Sequence, residues 1–280
     1  MAQIMVRKGD STLEPLDYNK ITRALRRAGA KSSLAKEVID SLESKMYDNM
    51  PTHEIYRLAF EELRKMKPGA AARFSLKSAL LKLGPSGYPF ETFVAALLKG
   101  RKYNTRLRQI VRGKCIQHEV DVIATRPVHK GHKATKSIIE CKFHNSPHFK
   151  CHIQSALYSW ARFLDIKDVN KGIDSAWLAT NTKFSHDVVR YSDCVGLKLM
   201  GWSFPKHESI QVRIDENKLY PITLIHGLDR RTFSALHSAG IILVKELEKA
   251  PREDLKVLKI KDKRIDSLKQ AAKRILSSKH

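Results

Sequence analysis

The sequence predicts a multidomain α/β protein, and three patterns predict it: helical apolar spacing up to about residue 84, Val- and Ile-rich segments alternating with helices through the middle, and short leucine-spaced helices at the end. Alternation of strand and helix requires a sheet with helices on its faces. A length of 280 residues suits two ordinary domains or three small ones, and 42% hydrophobic residues is enough to build cores. The expected division is 1–84, mostly helical; 85–218, an α/β core; and 219–280, a small all-α domain.

The 52 Lys+Arg against 29 Asp+Glu leave a net charge of +23, and each of the three segments carries part of the excess. A basic tail would suggest a tethering arm, whereas an excess on every folded segment points to one polyanion, most simply nucleic acid. The plainer alternative is a well-solvated basic surface. Thirteen Gly and ten Pro exclude collagen-like and low-complexity character. No apolar run approaches the ~20 residues that span a bilayer, so no membrane partner is expected. The opening MAQIMVRKGD has neither the apolar stretch nor the cleavage site of a secretory signal. A cytoplasmic, reducing location is therefore expected, with Cys115, Cys141, Cys151 and Cys194 as free thiols.

Taken in order, Ile4 and Val6 read as a short basic strand before the turn Gly9-Asp10-Ser11. Asp17 or Asn19 is placed to cap a helix starting near Lys20, with Ile21, Leu25 and Ala28 as its apolar stripe. Further amphipathic helices are expected over 34–46, 52–66 and 70–83, the last stopped by Gly84-Pro85. A helix over 90–98 opens the core. Strands follow over 115–124 and 137–143, joined by a polar, basic stretch, then helix 153–164, strand 176–179, helix 186–194 and strand 197–202. The final segment is helical, punctuated by Gly227 and Gly240, with Leu236, Leu243, Leu247, Leu255 and Leu258 as its core.

The spacing that carries chemistry is Asp121 on one strand and Glu140-Cys141-Lys142 on the next. A strand has period two, so Glu140 and Lys142 project from one face and Cys141 from the other. Asp121 stands between Val120 and Val122, so two carboxylates and an ammonium converge at the end of a two-strand unit. Charges in such surroundings cost several kcal/mol unless they are paired or bind a metal. Two carboxylates suit Mg²⁺, which keeps positions open for water and phosphate. Lys142 is placed to orient the attacking water and to offset charge growing on phosphorus.

In these residues the segment 86–204 resembles the PD-(D/E)xK nuclease superfamily, in its Mrr-type restriction endonuclease branch. The matching elements are Gly87-Tyr88-Pro89-Phe90-Glu91, His118-Glu119-Val120-Asp121, Glu140-Cys141-Lys142 and Gln154, finishing with Ala179-Thr180-Asn181 and Phe184-Ser185. Val120 replaces the proline before the first acid. The resemblance implies a restriction-endonuclease-like mixed sheet, Mg²⁺ or Mn²⁺ held by Asp121, Glu140 and the Cys141 backbone carbonyl, and Lys142 serving the water. It also implies that Glu91 assists the metal site and Gln154 positions the substrate backbone. A salt-bridged surface strand pair is the plain alternative.

Residues 3–83 resemble the ATP-cone, a regulatory nucleotide-binding module, through Val6-Arg7-Lys8-Gly9-Asp10, Glu14-Pro15-Leu16, Asn19-Lys20-Ile21, Pro51-Thr52 and Ala71-Ala72-Arg73-Phe74. The resemblance implies that the Val6 backbone, Arg7, Lys8, Lys20 and Thr52 surround ATP or dATP. Independently, two cations at a strand end and a third at a helix start suit a triphosphate, and Glu14 is placed to select on base or ribose. No Gly-x-x-x-x-Gly-Lys-[Ser/Thr] loop exists, so the nucleotide is expected as effector rather than fuel.

Residues 221–276 resemble tandem helix-hairpin-helix modules that hold the DNA backbone, with Arg230, Arg231, Lys259 and Lys261 as phosphate contacts. Leu258-Lys259-Ile260 stands where such a hairpin wants glycine. The cluster His144, His148, Cys151 and His152 fits no standard zinc spacing. The whole reads as a DNA endonuclease, a homo-oligomer under adenine-nucleotide control. The alternatives are a non-catalytic nucleotide-responsive DNA-binding regulator and a structure-selective repair nuclease.

Overall fold

A computed structural model of the chain describes residues 4–9, 11–84, 86–127, 134–147 and 149–277. Asp10 of the expected first turn, Pro85 of the expected helix stop, part of the polar stretch between the two expected strands, and His148 lie outside the described residues. The chain divides into two compact units, one formed by Met1–Ala79 with Ile222–His280 and the other by Leu80–Pro221.

The first unit opens with β1 (Met5–Arg7), antiparallel to β2 (Leu13–Pro15). Val6 is the buried centre of this sheet. The helix α1 (Tyr18–Arg27) starts there because the extended Asp17 accepts the Asn19 N–H at 2.9 Å, and it ends before Gly29 at φ +87. After α2 (Ser32–Glu43), β3 (Met50–Pro51) pairs parallel with β1 and runs straight into α3 (Thr52–Met66), which has the bounds expected from sequence. The expected helix over 70–83 is broken into α4 (Pro68–Phe74) and α5 (Leu76–Leu81). At the break the Ser75 hydroxyl donates to the Ala72 carbonyl at 2.8 Å, a local bond that competes with a continuous helix ladder. Ile21, Leu25, Val38, Leu42, Met50, Ile55 and Leu63 pack with Val6 as one core.

In the second unit α6 (Tyr88–Gly100), with Pro89 in its first turn, packs on β4 (Asn104–Arg112), β5 (Gln117–Arg126) and β6 (Thr135–Lys142). The chain continues through β7 (Lys150–Cys151), α7 (Ile153–Val169), β8 (Ser175–Thr180), β9 (Lys183–Phe184), α8 (His186–Val195), β10 (Lys198–Met200) and α9 (Ile210–Asn217). The main sheet runs β10-β8-β6-β5-β4. Its β4, β5 and β6 are antiparallel and its β6, β8 and β10 parallel, so it is mixed. Parallel neighbours need crossovers, which α7 and α8 supply. Ser185 caps α8, and Gly196 at φ +82 ends it. The edge strand β4 had no counterpart in the sequence expectation. Arg106, Arg108 and Arg112 interrupt the Val/Ile run that marks a strand, although alternate positions are exposed.

The first unit resumes with a short 3-10 turn (Ile222–Leu224), α10 (Arg230–Ser238), α11 (Val244–Lys249), α12 (Arg252–Val257) and α13 (Asp262–Ser277). Asp229 caps α10 by accepting the Thr232 N–H at 2.8 Å, and the Glu246 carboxylate accepts the N–H groups of Ile242 and Leu243 at 2.9 Å. This helical part is fastened to α4 through the buried Arg73, which donates to the Ala28 carbonyl at 2.9 Å and the Ile275 carbonyl at 3.3 Å. Among the described residues, no helix is long and apolar enough to cross a membrane. All four cysteines are free.

Candidate functional site

The ladder between β5 and β6 stops at the pair Val122–Ile139, one residue short of Asp121 and Glu140. There the strands fork. The Cys141 N–H has left the ladder and donates instead to Asp121 Oδ2 at 2.6 Å. On the other side, Glu140 and Lys142 remain in register with Leu178 and Thr180 of β8. As period two requires, Glu140 and Lys142 share a face: Lys142 Nζ stands 2.6 Å from Glu140 Oε1. The second Glu140 oxygen accepts from Arg162 of α7.

The cluster pairs Glu140 with Lys142 and Arg162 and Glu91 with Arg108, and among the described residues Asp121 is its carboxyl without an ion pair. Burial pushes the Asp121 carboxyl up to about 7, and the charges of Glu140 and Glu91 push the same way, against the Cys141 N–H and Arg162. Burial also raises Glu91, against its ion pair with Arg108 at 3.1 Å. For Lys142, burial acts downward, but the hydrogen bond and charge of Glu140 and the charge of Asp121 outweigh it, and the net direction is up. Lys142 is therefore an ammonium at neutral pH. Among the described residues no three His, Cys, Asp or Glu side chains form a metal-holding group. Asp121, beside Glu140, nonetheless gives a donor set that fits a hard divalent cation leaving its other positions to water and phosphate.

Sequence reasoning missed two arginines and a tyrosine at this centre. Arg162 lies one turn beyond Tyr158 on α7, its guanidinium donating to the Tyr158 hydroxyl and lying 4.5 Å from that ring's centroid. Lys142 Nζ is 5.6 Å from the same ring. The i, i+4 spacing of Tyr158 and Arg162 was a readable signal. Arg108 was not readable. It sits in β4 where the β4–β5 ladder lacks a pair, between Leu107–Val122 and Gln109–Val120, and so lies across from Asp121. Its φ is +49, a left-handed conformation that costs a side-chain-bearing residue about 1 kcal/mol. Gln154 is exposed in the first turn of α7.

The N-terminal residues also come together. Arg7 of β1 pairs with Pro51, so the end of β1 lies beside Thr52, the first residue of α3. Lys8 Nζ is 2.5 Å and Lys20 Nζ 3.2 Å from Glu14, which pairs with Val6 across β1 and β2. The hydrogen bond from Lys8 leads in lowering the Glu14 carboxyl. No side chain caps the start of α3, whose N–H groups and positive dipole end favour phosphate. In the C-terminal segment Arg230 and Arg231 of α10, and Lys259 and Lys261 between α12 and α13, are all exposed. Lys259 adopts φ +58, a left-handed conformation that glycine adopts without strain. Arg264 donates to the Gly227 carbonyl at 2.5 Å, which draws the starts of α10 and α13 together.

Comparison with known proteins follows the division of the chain. Residues 4–80 match the family model of the ATP cone domain, which bears out that expectation. Residues 220–276 match the model described as AF1548-like, C-terminal. A protein of Archaeoglobus fulgidus, described as uncharacterized, is 35% identical over 183 residues, 65% of this chain and 99% of that protein. The crystal structure of the protein of unknown function AF1548 is matched over 69% of this chain and 100% of that one, with 34% identity and a TM-score of 0.60. MspJI restriction endonuclease in complex with a 27-mer oligonucleotide is matched over 62% of this chain and 36% of that one. Its identity of 11% and TM-score of 0.36 lie below the level at which a shared fold follows.

Proposed function

The chain belongs to the AF1548 family, and from that premise, with an ATP cone domain at residues 4–80, we propose that it is a Mg²⁺-dependent DNA endonuclease that responds to an adenine nucleotide. The observation that carries the reading is the meeting of Asp121, Glu140 and Lys142 where β5 and β6 part. Asp121, Glu140 and the Cys141 backbone carbonyl would hold Mg²⁺ or Mn²⁺, which when bound would supply Lewis-acid activation of water and neutralise phosphate charge. Lys142, an ammonium at neutral pH, orients that water and offsets the charge that grows on the phosphoryl oxygens. Water adds to phosphorus, the bond to the leaving oxygen breaks, and that oxygen takes a proton, with no covalent enzyme intermediate. Arg162 and Tyr158 hold Glu140 and Lys142 in place, and Glu91 adds negative charge beside Asp121. Gln154 meets the substrate backbone, while Arg230, Arg231, Lys259 and Lys261 grip DNA phosphates irrespective of sequence.

The nucleotide acts as an effector on the assembly of nuclease units, which requires it to bind one state better than another. Lys8 and Lys20 hold Glu14, and in this reading they exchange it for the triphosphate. Each Lys→Ala change is expected to weaken ATP or dATP binding about tenfold, and the pair about a hundredfold, from one charge-assisted contact each. Titration with a fluorescent ATP analogue checks this; an unchanged affinity in the double variant removes Lys8 and Lys20 from the site.

The test of the whole reading is incubation of supercoiled plasmid with the full chain and Mg²⁺ or Mn²⁺, with and without ATP and dATP. One observation favours a second reading, a non-catalytic nucleotide-responsive DNA-binding regulator: both Glu140 oxygens are already taken by cations. Intact plasmid with nucleotide-dependent DNA binding decides for it.

A further inference from the structure

Arg108 is the one non-glycine residue with positive φ inside a strand, among the described residues; the others with φ > 0 sit at turns and helix ends. Glycine would meet that backbone requirement without strain. An arginine is kept there instead, opposite Asp121, where the β4–β5 ladder has no pair to gain from it. Its side chain is divided between two environments. Nη1 donates to the buried Glu91 carboxylate at 3.1 Å, while the guanidinium lies 5.4 Å from the centroid of the exposed Tyr88 ring with 36% of the side chain open to solvent. A guanidinium has five donors in a planar fork that matches phosphate geometry, and the contact to Glu91 uses one of them.

Resting on the nuclease reading, we propose that Arg108 binds the DNA phosphate that enters beside Asp121, with Glu91 and Tyr88 aiming its fork. The register across from Asp121 sets this edge-strand residue at that mouth, and a strained residue at such a place is expected where function requires it. The ion pair with Glu91 is a secondary use of the same cation. This assigns to β4, which no motif marks, a direct role in holding substrate.

The test separates that role from a purely structural one by working in a Glu91→Gln background, where the ion pair is already gone. Duplex binding is measured by fluorescence anisotropy in EDTA, so no cleavage enters, alongside thermal unfolding. Glu91→Gln/Arg108→Gly is expected to unfold at the same or higher temperature than Glu91→Gln, since strain is relieved. It is also expected to bind the duplex about tenfold more weakly, with a salt slope reduced by about one. Glu91→Gln/Arg108→Lys, keeping the charge without the fork, falls between. Unchanged affinity and slope in the glycine variant overturn the assignment, as does a lower unfolding temperature as the sole change. Plasmid cleavage by the wild-type chain is scored separately, so a chain that cleaves with Arg108→Gly at full rate refutes the Arg108 role and leaves the nuclease reading standing.

Discussion

Asp121→Asn is expected to abolish Mg²⁺-dependent plasmid cleavage, lowering the rate by about a thousandfold or more, while the folded chain is retained. The amide keeps an oxygen for the Cys141 N–H and removes only the charge that would hold the ion. Lys142→Met is expected to cost about a hundred- to a thousandfold through lost stabilisation of the developing negative charge. Glu140→Gln also silences the enzyme but is a poorer test. Breaking its largely buried pair with Arg162, 7% and 11% exposed, costs about 3–5 kcal/mol of stability. Because these groups act as one unit, the Asp121→Asn/Lys142→Met pair should be scarcely slower than the worse single variant. Undiminished cleavage by Asp121→Asn at equal protein concentration ends the nuclease assignment for this centre.

The same variant is expected to stabilise the protein in EDTA at pH 8, and to lose that advantage by about pH 4. The Asp121 carboxyl titrates at about 7 when folded and near 3.8 when unfolded. Between those values the folded state binds the proton more tightly, so its contribution is fully present below pH 3.8 and is lost as pH rises through 7. Asparagine carries no such penalty. A rise from 3.8 to about 7 sets an upper bound of about 4 kcal/mol on the gain at pH 8. With Mg²⁺ the gap should narrow: at a hundred times its Kd the ion stabilises the wild type by about 2.7 kcal/mol and the variant far less. Urea unfolding at pH 4 and pH 8, with EDTA or Mg²⁺, gives the four values. A less stable Asp121→Asn at pH 8 in EDTA would mean that the carboxylate is a satisfied structural group.

Different parts of the molecule were legible in the sequence to different degrees. The helix over 52–66 was read to the residue because Pro51-Thr52 marks its start and one apolar stripe runs its length. A cap at Asp17 or Asn19, of which the structure uses Asp17, and the strands around Asp121 and Glu140 were read because a short acceptor before a helix and a Val/Ile run are local signals. The break at Ser75 went unseen, since nothing nearby forbids a helix there and the Ser75 bond to Ala72 belongs to the folded chain. β4 was lost among its arginines. An edge strand needs only one partner and tolerates charge at alternate positions, so the apolar signature fades just where the site needs cations.

By itself the sequence determined that one segment places two carboxylates and an ammonium on neighbouring strands, and that another places cations at a strand end and a helix start. Side-chain period along a strand and capping at a helix start are properties of a few consecutive residues, so they can be read without coordinates. Only the tertiary structure decided that Arg162 closes on Glu140 from a helix packed on the sheet, and that Arg108, with a strained backbone, stands across the ladder position from Asp121. It also decided that Arg73 ties α1 to α13 across the length of the chain. Those contacts join residues distant in sequence, and their energies come from burial and charge pairing that exist only once the layers have met.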